Sequence, residues 1–305
     1  MNMLWTEKYR PQKLNEIRGQ SGFVIDATEW VINGVMPNLL LHGVAGTGKT
    51  SAALVLAKSI LGDDLESNFF EINASDDRKL ETVRTKIKDI ATTMKMGDAP
   101  FKIILLDEMD GMTPDAQNAL KRIMERYHEN VRFIITCNHR FKIIQPLISR
   151  TANYNFSRLD VNNLSHALTD VLGSEGLSQY SNGEWEPFIE GLNGDLRRGL
   201  TELQAAHASG TSLKKQTQMT LEPYEIILRH TNENQYDNAL KEVHKLLLQS
   251  IDMKTMCVRL HDVIIQADMH HTEKFKLLRI VGEAEWRSNN MTPKVLASWM
   301  IGQMV

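Results

Sequence analysis

Between residues 38 and 156, short apolar runs alternate with amphipathic stretches, the pattern of strands and helices in a parallel sheet covered on both faces. Residues 39–41, 69–72, 103–106 and 131–136 read as central strands, with 152–156 as a fifth. A helix is predicted over 51–61. Thr113 followed by Pro114 marks another helix start, a hydroxyl at the N-cap and a ring already set to helical φ. Ala116, Leu120, Ile123 and Met124 then keep helical spacing to about Tyr127.

After Phe156 the strand pattern stops. Residues 160–172, 184–190 and 195–207 read as three helices separated by Gly and Ser clusters, a small helical lid. Residues 208–220 are polar, nearly free of large apolar side chains, and read as a linker or exposed loop. Helical periodicity resumes at Leu221 and lasts to the end, with helices around Glu225 and over 239–249, 256–267 and 274–286. The expected division is therefore 1–157 for the α/β domain, 158–208 for the lid and 209–305 for an all-helical domain. No internal repeat or low-complexity tract interrupts it.

Composition narrows the possibilities. At 305 residues and 42% apolar content the chain can fill one large core and smaller satellites. Its formal charge of -3 excludes a globally basic nucleic-acid binder, so any such site must be a patch. Cys137 and Cys257 are too far apart in sequence for a paired metal motif and offer no disulfide framework, which points to a reducing, intracellular compartment. The opening residues lack an apolar signal core and no membrane-length apolar run occurs, so a soluble protein with no membrane partner is expected.

The strongest chemical signal is at residues 43–50, G-V-A-G-T-G-K-T, between an apolar strand and a helix. This is the context of a phosphate-binding loop. Gly43, Gly46 and Gly48 let the backbone N–H groups curl around phosphate oxygens, with Val44, Ala45 and Thr47 completing the curve. Lys49 reaches the β and γ phosphates, and Thr50 offers its hydroxyl to magnesium. Further on, I-I-L-L-D-E-M-D places Asp107 and Glu108 at the carboxyl end of a buried strand, where ligands of open α/β sheets gather. Asp107 would hold magnesium, commonly through water, and Glu108 would polarise the attacking water as general base. An acid pair there argues for hydrolysis of the nucleotide.

With these residues in view, the chain resembles the small subunits of replication factor C and their archaeal and T-even-like phage counterparts over nearly its whole length. W-T-E-K-Y-R-P, N-A-S-D-D-R at 73–78 and D-A-Q-N-A-L-K-R-I-M-E at 115–125 carry the resemblance. It implies an AAA+ P-loop module followed by the lid and a helical collar, with ATP and Mg2+ as cofactors. It also implies that Tyr9, Arg10 and Pro11 line an adenine pocket and that Asn138, in T-C-N, is the sensor 1 amide that orients water. Arg150, in I-S-R-T, would reach the ATP of a neighbouring subunit, and Arg197, in G-D-L-R-R, would reach the subunit's own, leaving Arg198 as a surface charge. The family usually has Pro-Pro at Val44 and Ala45, Cys at Thr151, Ala at Met109 and Gly at Lys79. None of these departures removes a catalytic group.

The resemblance further implies three partners: a sliding clamp, primer-template DNA and other loader subunits in a pentamer. Arg78, Lys79, Arg84, Lys86 and Lys88 cluster at and after the start of one predicted helix, where cations and helix N–H groups can meet phosphates. Arg84 and Lys88 lead as DNA contacts, with Arg78 and Lys79 beside them. Gln117 and Arg78 resemble residues that couple DNA contact to the catalytic Glu, and Asn73 the group that restrains it. Met109 and Met112 read equally as clamp contacts or core filler. Leu246, Leu247, Ile251 and Val258 fit a collar interface or a plain bundle core. Another AAA+ DNA-processing ATPase, or a scaffold that binds ATP without turnover, are the competing readings.

Overall fold

Five strands lie side by side, all parallel: β1 (Leu39–His42), β2 (Phe69–Asn73), β3 (Lys102–Asp107), β4 (Val131–Cys137) and β5 (Ala152–Asn155), in the order β2-β3-β4-β1-β5. The computed structural model describes residues 3–74, 80–177, 180–210, 213, 221–248 and 251–305, and for 80–84 and 182 the backbone alone. The five expected strands are all present, each within a residue or so of its predicted bounds.

Both faces of the sheet are covered, which is why its strands read as unbroken apolar runs. Leu40, Ile104, Leu106, Phe133 and Ile135 enter one core, and Leu39, Leu41, Ile103, Leu105 and Ile134 the other. The helices of this part are α1 (Trp5–Lys8), α2 (Ser21–Asn33), α3 (Lys49–Leu61), α4 (Leu65–Asn68), α5 (Leu80–Thr92), α6 (Pro114–Arg126) and α7 (Gln145–Ile148). Phe23 and Ala27 of α2 and Ala52, Ala53 and Leu56 of α3 fill the second core, while Ile87, Leu120 and Ile123 of α5 and α6 fill the first. Each such fully buried aliphatic side chain contributes roughly 1.5–3 kcal/mol, so the two cores hold the carboxyl edge of the sheet rigid under the site. Thr113 caps α6 as expected, its hydroxyl accepting from Ala116 N at 3.4 Å, with Pro114 at the first position.

The lid consists of α8 (Val161–Ser174), α9 (Asn182–Leu192) and α10 (Leu196–Ser209). Carboxylates cap two of these helices: Asp160 accepts from Asn163 N at 2.8 Å and Asp195 from Arg198 N at 3.0 Å. Trp5 is buried with Leu164, Leu168, Phe188 and Leu203, so the start of the chain is part of the lid core. The expected linker needs correction at its edges. α10 continues to Ser209, and Leu213 is buried in the lid core because a lone leucine in a polar stretch still finds apolar surface. Residues 211–212 and 214–220 of that stretch lie outside the described residues.

The chain divides into two compact units, 1–215 and 216–305. The second contains α11 (Glu222–Asn232), α12 (Tyr236–Leu248), α13 (Met253–Gln266), α14 (His271–Arg287) and α15 (Pro293–Met304). Tyr224, Leu246, Met256, Leu260, Ile280, Leu296 and Met300 make its core. Leu246 and Ile251 are internal and Leu247 packs against them, whereas Val258 stays 48% exposed. Among the described residues no helix is long and apolar enough to cross a membrane.

Candidate functional site

The loop after β1 carries out the backbone contortion its glycines announce. Gly43, at φ 143°, passes so close to the residue after β5 that a Cβ there would lie 2.2 Å from Phe156 O. Gly46, at φ 82°, lies against the lid, where a Cβ would come within 2.6 Å of Asp195 Oδ1. Only glycine tolerates both the positive φ and the missing space. The loop is therefore seated between the sheet and the N-terminus of α10.

Lys49 opens α3 and is only 8% exposed. Its Nζ donates to Gly43 O at 2.8 Å, Val44 O at 2.9 Å and Asn138 Oδ1 at 2.9 Å. Burial holds its pKa below the ordinary lysine value, against the pull of Asp107, Asp110 and Glu108. Thr50 Oγ1 donates to Asp107 Oδ1 and Oδ2 at 3.0 and 3.2 Å. Thr136 Oγ1 donates to Asp107 Oδ1 and accepts from Glu108 N at 3.1 Å. Thus the start of α3 and the ends of β3 and β4 each deliver one polar group to a single point at the carboxyl edge, where ligands of open parallel sheets gather.

Glu108 leaves the strand in the left-handed region, φ 54° and ψ 43°. A non-glycine residue held there costs about 1–3 kcal/mol, a strain that concentrates at functional sites. The Thr136 hydroxyl bonded to its N–H is what the fold supplies against that strain. Asn138 is fixed in turn, its N–H donating to Asp110 Oδ1 at 3.2 Å. The hydroxyl of Thr50 and the carboxylate of Asp107 form a hard-oxygen pair of the kind magnesium takes alongside phosphate oxygens. Beside the loop opens a cleft of about 630 Å3 whose lining includes Arg140 and Arg158 and no carboxylate. His42, also on that lining, has its pKa lowered by burial first and then by Arg140 and Lys49. An anionic ligand suits this cleft.

The predicted adenine-pocket residues follow α1. Tyr9 Oη donates to Glu175 Oε1 at 2.7 Å, a carboxylate shared with Lys8 Nζ, and the Tyr9 ring meets Trp5 edge-on. Burial first, then that hydrogen bond, raises the Tyr9 pKa. Arg10 Nη1 lies 3.4 Å from Glu7 Oε2, and Pro11 follows it half-buried. On α10, Arg198 is committed to Glu202, Nε to Oε1 2.8 Å. Arg197 is exposed, and among the described residues its side chain has no hydrogen bond or ion pair. Arg150 hydrogen-bonds to Glu125, Pro146 and Ser149, not to its own Lys49, Thr50 or Asp107.

Gln117 is 1% exposed. Its Nε2 donates to Met112 O at 3.1 Å and Lys142 O at 3.0 Å, and its Oε1 accepts from Ile144 N at 2.9 Å. One side chain thus joins the segment after Glu108 to the segment after Asn138. Register sets Asn73 of β2 opposite Asp107. Met109 and Met112 are 0% and 7% exposed in the first core, so the reading of these two as clamp contacts is corrected: their thioethers fill the space under α6. Of the basic cluster, Arg78, Lys79 and the Arg84 side chain lie outside the described residues. Lys88 is exposed and shares a groove of about 370 Å3 between α5 and α6 with Arg122 and Arg126.

Sequence reasoning missed Thr136, Asp110, Asp195 and Glu125 as parts of the site. Thr136 had a local signal, a hydroxyl in an otherwise apolar strand end. The others are brought in by tertiary contacts that no local pattern encodes.

A buried lysine and a threonine in a glycine loop after β1, facing an acid pair after β3 and an amide after β4, define a P-loop ATPase fold of the AAA type. Residues 39–159 match the AAA family, ATPases associated with various cellular activities. The chain is similar to the replication factor C small subunit of Methanococcus maripaludis, 36% identical across 94% of this chain and 93% of the relative. It is also similar to that of Methanosarcina acetivorans, 38% identical across 93% and 89%. The chain belongs to the replication factor C small subunit family. Among solved structures, the Thermotoga maritima RuvB Holliday junction branch migration motor shares the fold at TM-score 0.55 and 15% identity, over 83% of this chain and 85% of that one. At that identity the likeness concerns the fold alone.

Proposed function

We propose that this chain is an ATP-hydrolysing subunit of a sliding-clamp loader, opening a clamp and placing it on primer-template DNA. The observation that carries the reading is the union of family membership with a complete hydrolytic set, Lys49, Thr50, Asp107, Glu108 and Asn138, around one loop. A scaffold without turnover would need neither the strained Glu108 nor the amide opposite Lys49. Loop N–H groups and Lys49 bind the phosphates of ATP, and Thr50 with Asp107 would hold Mg2+, which neutralises phosphate charge. Glu108 takes the proton of the attacking water that Asn138 orients. Arg197 and the Tyr9, Arg10 and Pro11 segment hold the subunit's own nucleotide from the lid side, and Arg150 acts on a neighbour's.

Arg78, Lys79, Arg84 and Lys88 would meet the DNA backbone, which needs charge and no base-reading code. Arg122 and Arg126, sharing the groove with Lys88, extend that basic surface. Three regions would divide the work: 1–157 for catalysis, 158–215 for closing on the nucleotide and 216–305 for assembly with other loader subunits. Buried Gln117 relays DNA contact on α5 and α6 to the residues around Glu108 and Asn138. The test is ATP turnover of the assembled loader with and without primed DNA and its clamp. Stimulation that needs both is expected; turnover indifferent to both sinks the proposal.

A further inference from the structure

Arg150 stands just beyond α7 and is held by three groups of its own subunit. Its Nε lies 2.8 Å and its Nη2 2.6 Å from the same Glu125 Oε1, while Nη1 donates to Pro146 O at 2.9 Å. A longer contact of 3.4 Å joins Nη1 to Ser149 Oγ. Both side chains are substantially exposed, 39% and 47%. Exposed pairs of this kind contribute little to fold stability, so the consequence of this one must be sought in orientation.

The guanidinium has N–H groups on three nitrogens. Glu125 takes the Nε edge and one N–H of Nη2, and the Pro146 carbonyl takes one of Nη1. What remains is one N–H on each terminal nitrogen: that of Nη2 has no acceptor among the described residues, and that of Nη1 only the distant hydroxyl. The Nη2 N–H, joined by Nη1 once the long Ser149 contact gives way, is what an arginine offers to phosphate oxygens. Glu125 sits in the last turn of α6, whose first turn is fastened by Gln117 to residues 142 and 144. Helix α6 therefore ties down both ends of the segment that carries Arg150.

We infer that Glu125 is a positioning residue for Arg150, holding the guanidinium side-on so that its terminal N–H pair is presented, already ordered, to the γ-phosphate of the neighbouring subunit's ATP. The inference rests on the reading of Arg150 as an arginine acting in trans. Glu125 touches no reacting atom. It removes rotamer freedom from the arginine before the subunits meet, and preorganisation of this kind is realised in the rate of the chemical step.

The experiment uses the assembled loader with primed DNA and its clamp at saturating ATP, comparing Glu125→Ala, Glu125→Gln, Arg150→Ala and the double variant Glu125→Ala with Arg150→Ala. Glu125→Ala should lower kcat about tenfold with KM for ATP unchanged within about twofold. Its thermal midpoint should match the parent's. Glu125→Gln, which keeps an oxygen acceptor, should recover part of the loss. Arg150→Ala should fall about 10²-fold or more, and the double variant should be no slower than Arg150→Ala alone. If Arg150→Ala is impaired and Glu125→Ala is not, the inference fails while the trans reading stands. A double variant slower than Arg150→Ala would place Glu125 on another task and overturn the inference. Normal turnover by Arg150→Ala would remove both.

Discussion

Lys49 Nζ donates to Asn138 Oδ1 at 2.9 Å, linking the loop after β1 to the end of β4 across 89 residues of chain. The amide and two loop carbonyls together satisfy a cation that would otherwise be buried without partners. An arriving phosphate competes for the same ammonium. If ATP binds here as proposed, its phosphate would release the Asn138 carbonyl oxygen to accept from the attacking water.

Replacing Lys49 by Ala removes the only side-chain cation inside the loop. Calorimetry with ATP should show no measurable binding. Unchanged affinity would end the assignment of this loop to phosphate.

Glu108→Gln keeps the shape of the side chain and removes its basicity. ATP binding should be retained, and single-turnover hydrolysis should fall about 10²- to 10⁴-fold, the usual contribution of a general base. Turnover within about tenfold of the parent would mean that another group takes the proton.

The parts of this site that chemistry writes locally were legible in the sequence. Glycines at Gly43, Gly46 and Gly48 announced a loop of positive φ, and the run before Asp107 announced a strand buried on both faces. Helix α2 escaped because it buries little beyond Phe23 and Ala27 while exposing Ile25 and Ile32, which blurs its periodicity. α15 follows the continuing helical periodicity, and Thr292 and Pro293 repeat at its start the signal of α6. Gln117, a polar side chain on an amphipathic helix, gives no sign of burial, since its partners at 142 and 144 depend on how the loop after β4 returns under α6. Arg150 and Glu125 each stand in a motif, but nothing in either motif says that they touch.

Gln117→Ala removes the partner of the buried Met112 carbonyl and those of the half-buried Lys142 carbonyl and Ile144 N–H. Unmet buried polar groups of this sort make a loss of about 2–4 kcal/mol the expectation from chemical denaturation. DNA-stimulated turnover should fall further than basal turnover. A stability change below about 1 kcal/mol would show that water replaces the amide without penalty.

Arg84→Ala together with Lys88→Ala should weaken primed-DNA binding and lower the salt slope by roughly two, because each phosphate contact releases about one counterion. Titrations at several salt concentrations measure this. An unaltered slope would make the α5 surface a solvated face only.

Mixing experiments separate a shared site from a self-contained one. Arg150 is turned toward Glu125 and Pro146 of its own chain, and none of its hydrogen bonds reaches the P-loop of that chain. If it acts on a neighbour, isolated Arg150→Ala subunits should bind ATP normally, while the assembled loader should lose about two or more orders of magnitude in turnover. Lys49→Ala subunits lose nucleotide but keep an intact arginine. Loaders assembled from both variants then contain interfaces at which an intact loop faces an intact Arg150, and those interfaces should hydrolyse ATP while loaders of either variant alone do not. A site served by its own arginine predicts no recovery at any mixing ratio, since every subunit would carry one defect. Turnover that rises and then falls as the ratio is varied, with its maximum near equal proportions, is the outcome that the trans arrangement requires.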